Sequence, residues 1–288
     1  MYRLGIKGAI TMKIGNNTYK IILLDTNAIR EIVTNENKSG KGFLENFIAF
    51  GKYVPCISLY NVIELKPYND IYNKFIDYFS LIPCFIIYPV KSILAKELNA
   101  ILNNTEFVID NSIANAFSPL GKDDTFNCRS FFEKIMENRQ LSEIITQEIQ
   151  ELPKIATVWE NQRIKALKVL SQSGYPDDMI DIKFYKDQEE STILKDLKNW
   201  GLSIPPSINY KQFSAARIMA FSQFNRVHST KKAIKPNDVM DTMISAVVPH
   251  IDAVITEKYQ ANVYKTAKSF ISEMKPLEIY TLKDIRIF

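Results

Sequence analysis

Glycine is scarce in this sequence, 9 in 288 residues, too few for a barrel or sandwich built from many tight turns. Cysteine is scarcer still. Cys56, Cys84 and Cys128 are odd in number, widely spaced and form no C-x-x-C pair, so neither a disulfide framework nor a zinc site is expected. Free thiols in a reducing cytoplasm are the simplest reading. The longest apolar stretch, around Phe79 to Val90, carries two prolines and falls short of the roughly 20 apolar residues of a membrane span; no membrane partner is expected. The N-terminus lacks the apolar run and small-residue cleavage site of a secretory signal, and Met12 offers an alternative start just ahead of the first clear strand. His228 and His250 are the only histidines, and neither falls in a pattern with serine or cysteine that supports triad chemistry. A G-x-G-x-x-G or Walker loop is also missing.

What is present is the composition of a globular protein, 46% hydrophobic and 24% charged, with length for one or two domains and no internal repeat. A net charge of +4 permits a polyanionic partner without announcing one. Tyr19–Leu24 reads as a short buried strand ended by Asp25-Thr26-Asn27, with a helix from Ala28. Val54–Ile57 reads as a second strand, and Ser58 is placed to cap a helix over Leu59–Leu65. Cys84–Tyr88 is a third strand between prolines. From Lys91 to Val227 the pattern is mostly helical: Ser92–Leu102, Phe131–Glu151, Ile155–Gln172, Glu189–Asn199 and Lys211–Phe224. Turn material such as Gly174-Tyr175-Pro176-Asp177-Asp178 and Ile204-Pro205-Pro206-Ser207 separates these helices. Strand–helix alternation then resumes, with a helix from Asn237 to Val248, a strand Ala253–Thr256, a helix Lys258–Glu273 and a last strand Leu277–Thr281. Short apolar strands alternating with helices imply an α/β fold with a parallel sheet covered on both faces.

The acids fall where such a sheet can use them. Asp25 directly follows the first strand, Glu64 ends the helix after the second, Asp241 lies on the Asn237–Val248 helix, and Glu257 directly follows the Ala253–Thr256 strand. Ligands of open α/β sheets bind beyond the carboxyl ends of the strands, so the fold can unite Asp25 and Glu257 across 232 positions. At about 100° per residue, Val239, Met240, Met243, Ile244 and Val247 share one side of the Asn237–Val248 helix. Asp238, Asp241, Thr242 and Ser245 share the other. A competing reading of Asp238 is an acid favoured by the helix dipole. Asp252 rivals Glu257 but precedes the strand, roughly 16 Å away at about 3.3 Å per residue.

These residues resemble a known family. Ile22-Leu23-Leu24-Asp25-Thr26-Asn27 is similar to the opening strand of PIN-domain nucleases. Ser58-Leu59-Tyr60-Asn61-Val62-Ile63-Glu64-Leu65 resembles the second motif. Asn237-Asp238-Val239-Met240-Asp241-Thr242-Met243-Ile244-Ser245-Ala246 resembles the third, Ile251-Asp252-Ala253-Val254-Ile255-Thr256-Glu257-Lys258 the fourth, and Leu277–Leu282 the closing strand. The resemblance covers roughly residues 20–90 and 235–285. It implies a PIN-like three-layer core from 13–90 and 231–288, with a long, mostly helical insertion over 91–230. Two departures stand out: Glu257 replaces the usual aspartate, and Glu64 and Asp241 lie 177 positions apart, so the toxin role of the small family members does not carry over.

Clustered carboxylates repel unless a cation lies between them, and oxygen ligands suit Mg²⁺ or Mn²⁺. The resemblance implies a metal-dependent endonuclease, acting on RNA before DNA and leaving a 5′-phosphate. Asp25 and Asp241 are then the principal metal ligands, Glu257 a further ligand, and Glu64 a ligand or water-orienting base. Asn27, Ser58, Asp238 and Thr256 would hold these acids in place; the plainer readings are a turn residue for Asn27 and a helix cap for Ser58. The basic run Arg226, Lys231, Lys232 and Lys235 is a candidate phosphate contact, against the commoner reading of a solvated loop. Phe213, Phe221 and Phe224 read as the core of a helix pair. A cytoplasmic nucleic-acid enzyme is the resulting expectation, with room for a homo-oligomer or an inhibitory protein partner. The alternatives are a PIN-like module that binds nucleic acid or protein without cutting, and a structure-selective DNA nuclease.

Overall fold

The computed structural model describes residues 12–14, 17–49, 52–117, 119, 127–173, 182–206, 208–228 and 232–286. Lys231 and the turn expected at Gly174–Asp178 lie outside them, as does Ser207. Burial along the second strand sets the architecture. Strands alternate their side chains between two faces, and here both faces are apolar. In β2 (Asn17–Leu24), Ile21 and Leu23 enter one core while Ile22 and Leu24 enter another. A strand buried on both faces needs helices above and below, and the chain supplies them.

The strands are β1 (Met12–Ile14), β2, β3 (Tyr53–Ser58), β4 (Cys84–Ile87), β5 (Ala114–Phe117), β6 (Ala253–Thr256) and β7 (Glu278–Thr281). They form one sheet in the order β5-β4-β3-β2-β6-β7, with β1 paired to β2. The pairs β2–β3, β3–β4, β2–β6 and β6–β7 are parallel; β4–β5 and β1–β2 are antiparallel. From β2 the chain steps one way through β3 and β4, and later the other way through β6 and β7. The order therefore reverses at β2, which makes a crevice beyond the carboxyl ends of β2 and β6.

One face of the sheet is covered by α1 (Thr26–Thr34), the turn α2 (Lys41–Phe43), α3 (Leu59–Leu65), α4 (Asn69–Phe79) and α6 (Cys128–Met136). The other carries α5 (Val90–Leu102), α7 (Arg139–Ser173), α8 (Ile182–Asn199), α9 (Ser214–His228), α10 (Pro236–Ile244) and α11 (Lys258–Ala267). Phe213 and Phe221 are buried, and Phe221 meets Tyr185 and Phe270 edge-on at 5.0 and 4.9 Å. These rings are core, as expected. Among the described residues no helix is long and apolar enough to cross a membrane.

Several elements differ from the sequence expectation. The segment 91–230 also contributes a strand, β5, whose four residues A-N-A-F carry no alternation a sequence reading can use. The helix α4 was likewise not expected. The helices expected at Phe131–Glu151 and Ile155–Gln172 break elsewhere, at Glu137-Asn138, and α7 runs on through Pro153. Proline removes one donor from the ladder, but Leu152, Ala156 and Trp159 are buried on either side of it, and that packing holds the helix together. The first helix starts at Thr26 rather than Ala28, and α8 starts seven residues earlier than expected, at Ile182. Tyr210–Gln212 is a 3₁₀ turn ahead of α9, which continues to His228. Pro236 opens α10 at a position that suits proline, and the helix tightens to a 3₁₀ turn over Ser245–His250 around Pro249. The final helix stops at Ala267, short of Glu273.

Asp252 sits at the amino end of β6, far from the crevice. Its N–H donates to the Ile21 carbonyl at 3.1 Å, its carboxylate accepts the Ile21 N–H at 2.7 Å, and its carbonyl accepts the Glu278 N–H at 2.8 Å. It ties β2, β6 and β7 together. Asp252→Ala leaves the Ile21 N–H buried without that acceptor, a loss of about 1–3 kcal/mol. Urea denaturation should read that loss; a change within about 0.5 kcal/mol of zero, as for an ordinary surface substitution, would contradict this bracing role.

Candidate functional site

Asp25 is held by the crevice on every side. Its backbone N–H donates to the Ile255 carbonyl of β6 at 3.1 Å, and its carbonyl accepts from Ile29 of α1 at 3.0 Å. One carboxylate oxygen caps α1 by accepting the Ala28 N–H at 2.7 Å. The other accepts the Thr256 hydroxyl at 2.5 Å and the Glu257 N–H at 3.0 Å. Asn27 donates to the Glu257 carboxylate at 2.6 Å, and Glu257 itself is exposed. The residues after β2 and after β6 are thus one hydrogen-bonded unit, so Asn27 and Thr256 contact the acids they were expected to position.

Glu64 is reached by a relay. Ser58 caps α3 by accepting the Tyr60 N–H at 3.2 Å, and its own N–H donates to Asn61 at 2.8 Å. The Asn61 amide then donates to the Thr26 hydroxyl at 3.0 Å, and Thr26 donates to the Glu64 carboxylate. Ser58 is therefore a buried helix cap linked to Glu64 only through Asn61 and Thr26. Thr26 and Asn61 were not singled out from the sequence. Asn61, fully buried, stands three residues after Ser58, at the far side of a capping box; that spacing was the available signal. Thr26 spends its one proton on Glu64 and a lone pair on Asn61, which satisfies the hydroxyl.

Asp238 and Asp241 project from α10 one turn apart and share Arg226 of α9. Its guanidinium lies 2.9 Å from Asp238 and 2.9 Å from Asp241, over the Tyr259 ring at 4.4 Å. The second oxygen of Asp238 accepts the Lys235 N–H at 2.8 Å. Arg226, a candidate phosphate contact, is paired with both carboxylates, and Asp238, expected beside Asp241, also binds the start of α10. Lys232 and Lys235 are exposed.

The acids act on one another. Burial raises the Asp241 carboxyl from the usual 3.8 to about 7; Arg226 opposes the shift, while the charges of Glu64, Asp25 and Asp238 reinforce it. Burial also raises Asp25, against its three hydrogen bonds and with help from Glu257. Glu64 is raised by burial and by Asp25, and held down by Thr26 and Arg30. Three carboxyls from three elements therefore share one electrostatic field at the switch point. The donors are all oxygens, which by chemistry fits a hard divalent cation. Among the described residues, however, no group of three or more His, Cys, Asp or Glu side chains is set around a common point as a ready metal cage.

The histidines stay out of this chemistry. His250 is buried, stacked on Phe107 at 3.7 Å and 3.2 Å from Glu97. Ser214 donates to that same Glu97 at 2.7 Å. The serine thus addresses the carboxylate and not the imidazole, at the buried start of α9.

Asp241 generates a pH test. The folded state holds this proton up to about pH 7, whereas an unfolded aspartate releases it near pH 3.9. Between those values the folded state binds more protons, so this group lowers stability as pH rises through the window. In EDTA, Asp241→Asn should melt higher than the parent at about pH 8, with the gap closing towards pH 4. A variant that melts lower at every pH would show that Arg226 makes the ionised form the stable one.

Compared with protein-family models, curated proteins and solved structures, the chain finds no match.

Proposed function

We propose that the acidic edge hydrolyses phosphodiester bonds of nucleic acid, RNA before DNA, with Mg²⁺ or Mn²⁺ held by Asp25, Asp241 and Glu64 and approached by Glu257. One observation carries the reading: at the switch point of a parallel sheet, Asp25 and Glu64 raise the proton affinity of Asp241, and Asp25 raises that of Glu64. Groups that repel in this way gain from a bound cation. The preference for RNA rests on the resemblance of the four motifs to PIN-domain nucleases. When bound, the cation would lower the pKa of a water and stabilise charge on the leaving oxygen.

The chain's own residues prepare that chemistry. Thr256, Ala28 and Glu257 hold the Asp25 carboxylate in one orientation, so its position costs nothing at the moment of reaction. Thr26, itself fixed by Asn61, orients Glu64. Arg226 offsets part of the charge on Asp241 and Asp238, and Asp241 would hold a divalent cation in place of that pairing. Lys232 and Lys235, exposed beside α10, contact the phosphates flanking the cut.

A second reading, a module that binds without cutting, draws on a different observation: each acid already has a partner within the protein, and no cage of three is preformed among the described residues.

Labelled single-stranded RNA and DNA, incubated with Mn²⁺, Mg²⁺ or EDTA, separate the two. Metal-dependent cutting of RNA should fall by at least about a hundredfold in Asp25→Asn, the scale of losing a group that acts on the reacting atoms. Thermal melting with Mn²⁺ should rise in the parent and less in the variant, and the rise should grow with pH as Asp241 ionises. No cutting with no Mn²⁺-dependent shift, in a folded protein, would leave the binding module. Preferential cutting of DNA would overturn the substrate preference.

A further inference from the structure

A second site lies on the neighbouring face of α10. A cleft of about 620 Å³ opens between α7, α8, α9 and α10, within the range of pockets that hold small ligands. Both tryptophans of the chain, Trp159 and Trp200, line it. Val239 and Met243 of α10 bring apolar surface, and Glu148 and Asp196 bring carboxyls. Burial pushes Glu148 up to about 7 and Asp196 up to about 6, and the Tyr60 hydroxyl donates to Glu148.

This lining is selective about chemistry. An aliphatic chain would cover the indoles but desolvate the half-buried Glu148 and Asp196 without giving either a new donor, which is costly. A phosphate or carboxylate would meet three carboxyls, Glu148, Glu151 and Asp196, against the two ammonium groups of Lys154 and Lys195. A flat heterocycle with N–H groups on its edge satisfies both parts: its face lies on aromatic surface, and its edge donates to carboxylates. Of the nucleobases, guanine presents two adjacent N–H donors on its Watson–Crick edge, the pattern one carboxylate accepts best.

We propose that this cleft is a nucleobase-binding pocket, selective for guanine, in which Trp159 and Trp200 supply the stacking surface and Glu148 and Asp196 accept the edge N–H groups. The same helix carries Asp241 towards the acidic edge, and a helix with its side chains is about 10 Å across, so one strand of nucleic acid can occupy both sites. The pocket stands whether or not the edge cuts.

Because the only two tryptophans line the cleft, intrinsic emission reports its occupancy without a label. The full chain, in EDTA, is titrated with guanosine, adenosine, cytidine and uridine, with excitation at the red edge of indole absorption. Guanosine should give a saturable change at the lowest concentration. Glu148→Gln and Asp196→Asn should each weaken it about tenfold, the scale of one hydrogen bond to a charged group, with the circular dichroism spectrum unchanged. Two variants keep the test open should one of them misfold. A linear, collisional response matching that of free N-acetyltryptophanamide would overturn the pocket, as would guanosine affinity unchanged in both variants. Equal saturation by all four nucleosides would overturn the guanine selectivity. Since the titration is metal-free and reads binding without cutting, failure of the hydrolytic reading and failure of the pocket are told apart.

Discussion

The carboxylate of Asp25 accepts hydrogen bonds from Ala28, Thr256 and Glu257, and its backbone joins β6 to α1. The crevice depends on this residue, because it links the first parallel strand to one formed 228 positions or more later. Loop closure over such a span costs entropy that grows only slowly with length, and the parallel β2–β6 pairing together with two buried cores offsets it. The same bonds that fix the sheet also fix the direction in which Asp25 presents its charge. Structure and candidate chemistry share one set of contacts here.

That arrangement carries an electrostatic cost. Asp25, Glu64 and Asp241 stand in a partly desolvated crevice, where Asp25 and Glu64 make Asp241 harder to ionise and Asp25 does the same to Glu64. The protein moderates the repulsion locally, with hydroxyl and backbone donors at Asp25, the Asn61–Thr26 relay at Glu64, and Arg226 at Asp238 and Asp241. Perturbed acids of this kind cluster at functional sites, and a fold gains no stability from crowding carboxyls. Arg226 has a double position in the scheme. It offsets the charge of two carboxylates, and it occupies an Asp241 oxygen that the proposed divalent cation would need.

Helix α10 presents one face to the acidic crevice and another to the tryptophan cleft. Asp238 and Asp241 face the crevice, while Val239, Thr242 and Met243 line the tryptophan cleft. The segment between the motif regions is therefore no appendage: α7, α8 and α9 build that cleft, and their apolar residues enter the same core as Ile21 and Leu23 of the central strand. Pro153 inside α7 fits this picture, because a helix seated in the core tolerates a lost hydrogen bond that an isolated one would not.

Sequence by itself located the strands β2, β3, β4, β6 and β7, as short runs rich in apolar and β-branched residues bounded by turn residues. It also determined the cap at Ser58 and the positions of Asp25, Glu64, Asp241 and Glu257 on their elements, because each follows from local spacing. It left β5 and α4 unread, since four residues of weak alternation and an aromatic-rich helix look alike until they are packed. Only the tertiary structure decided that Arg226 pairs with Asp238 and Asp241, that Thr26 and Asn61 serve Glu64, and that Trp159 and Trp200 meet in one cleft. Those are contacts between residues far apart in the chain or on different helices. Periodicity reports which face of an element is buried, but it carries no information about which other element the face will meet.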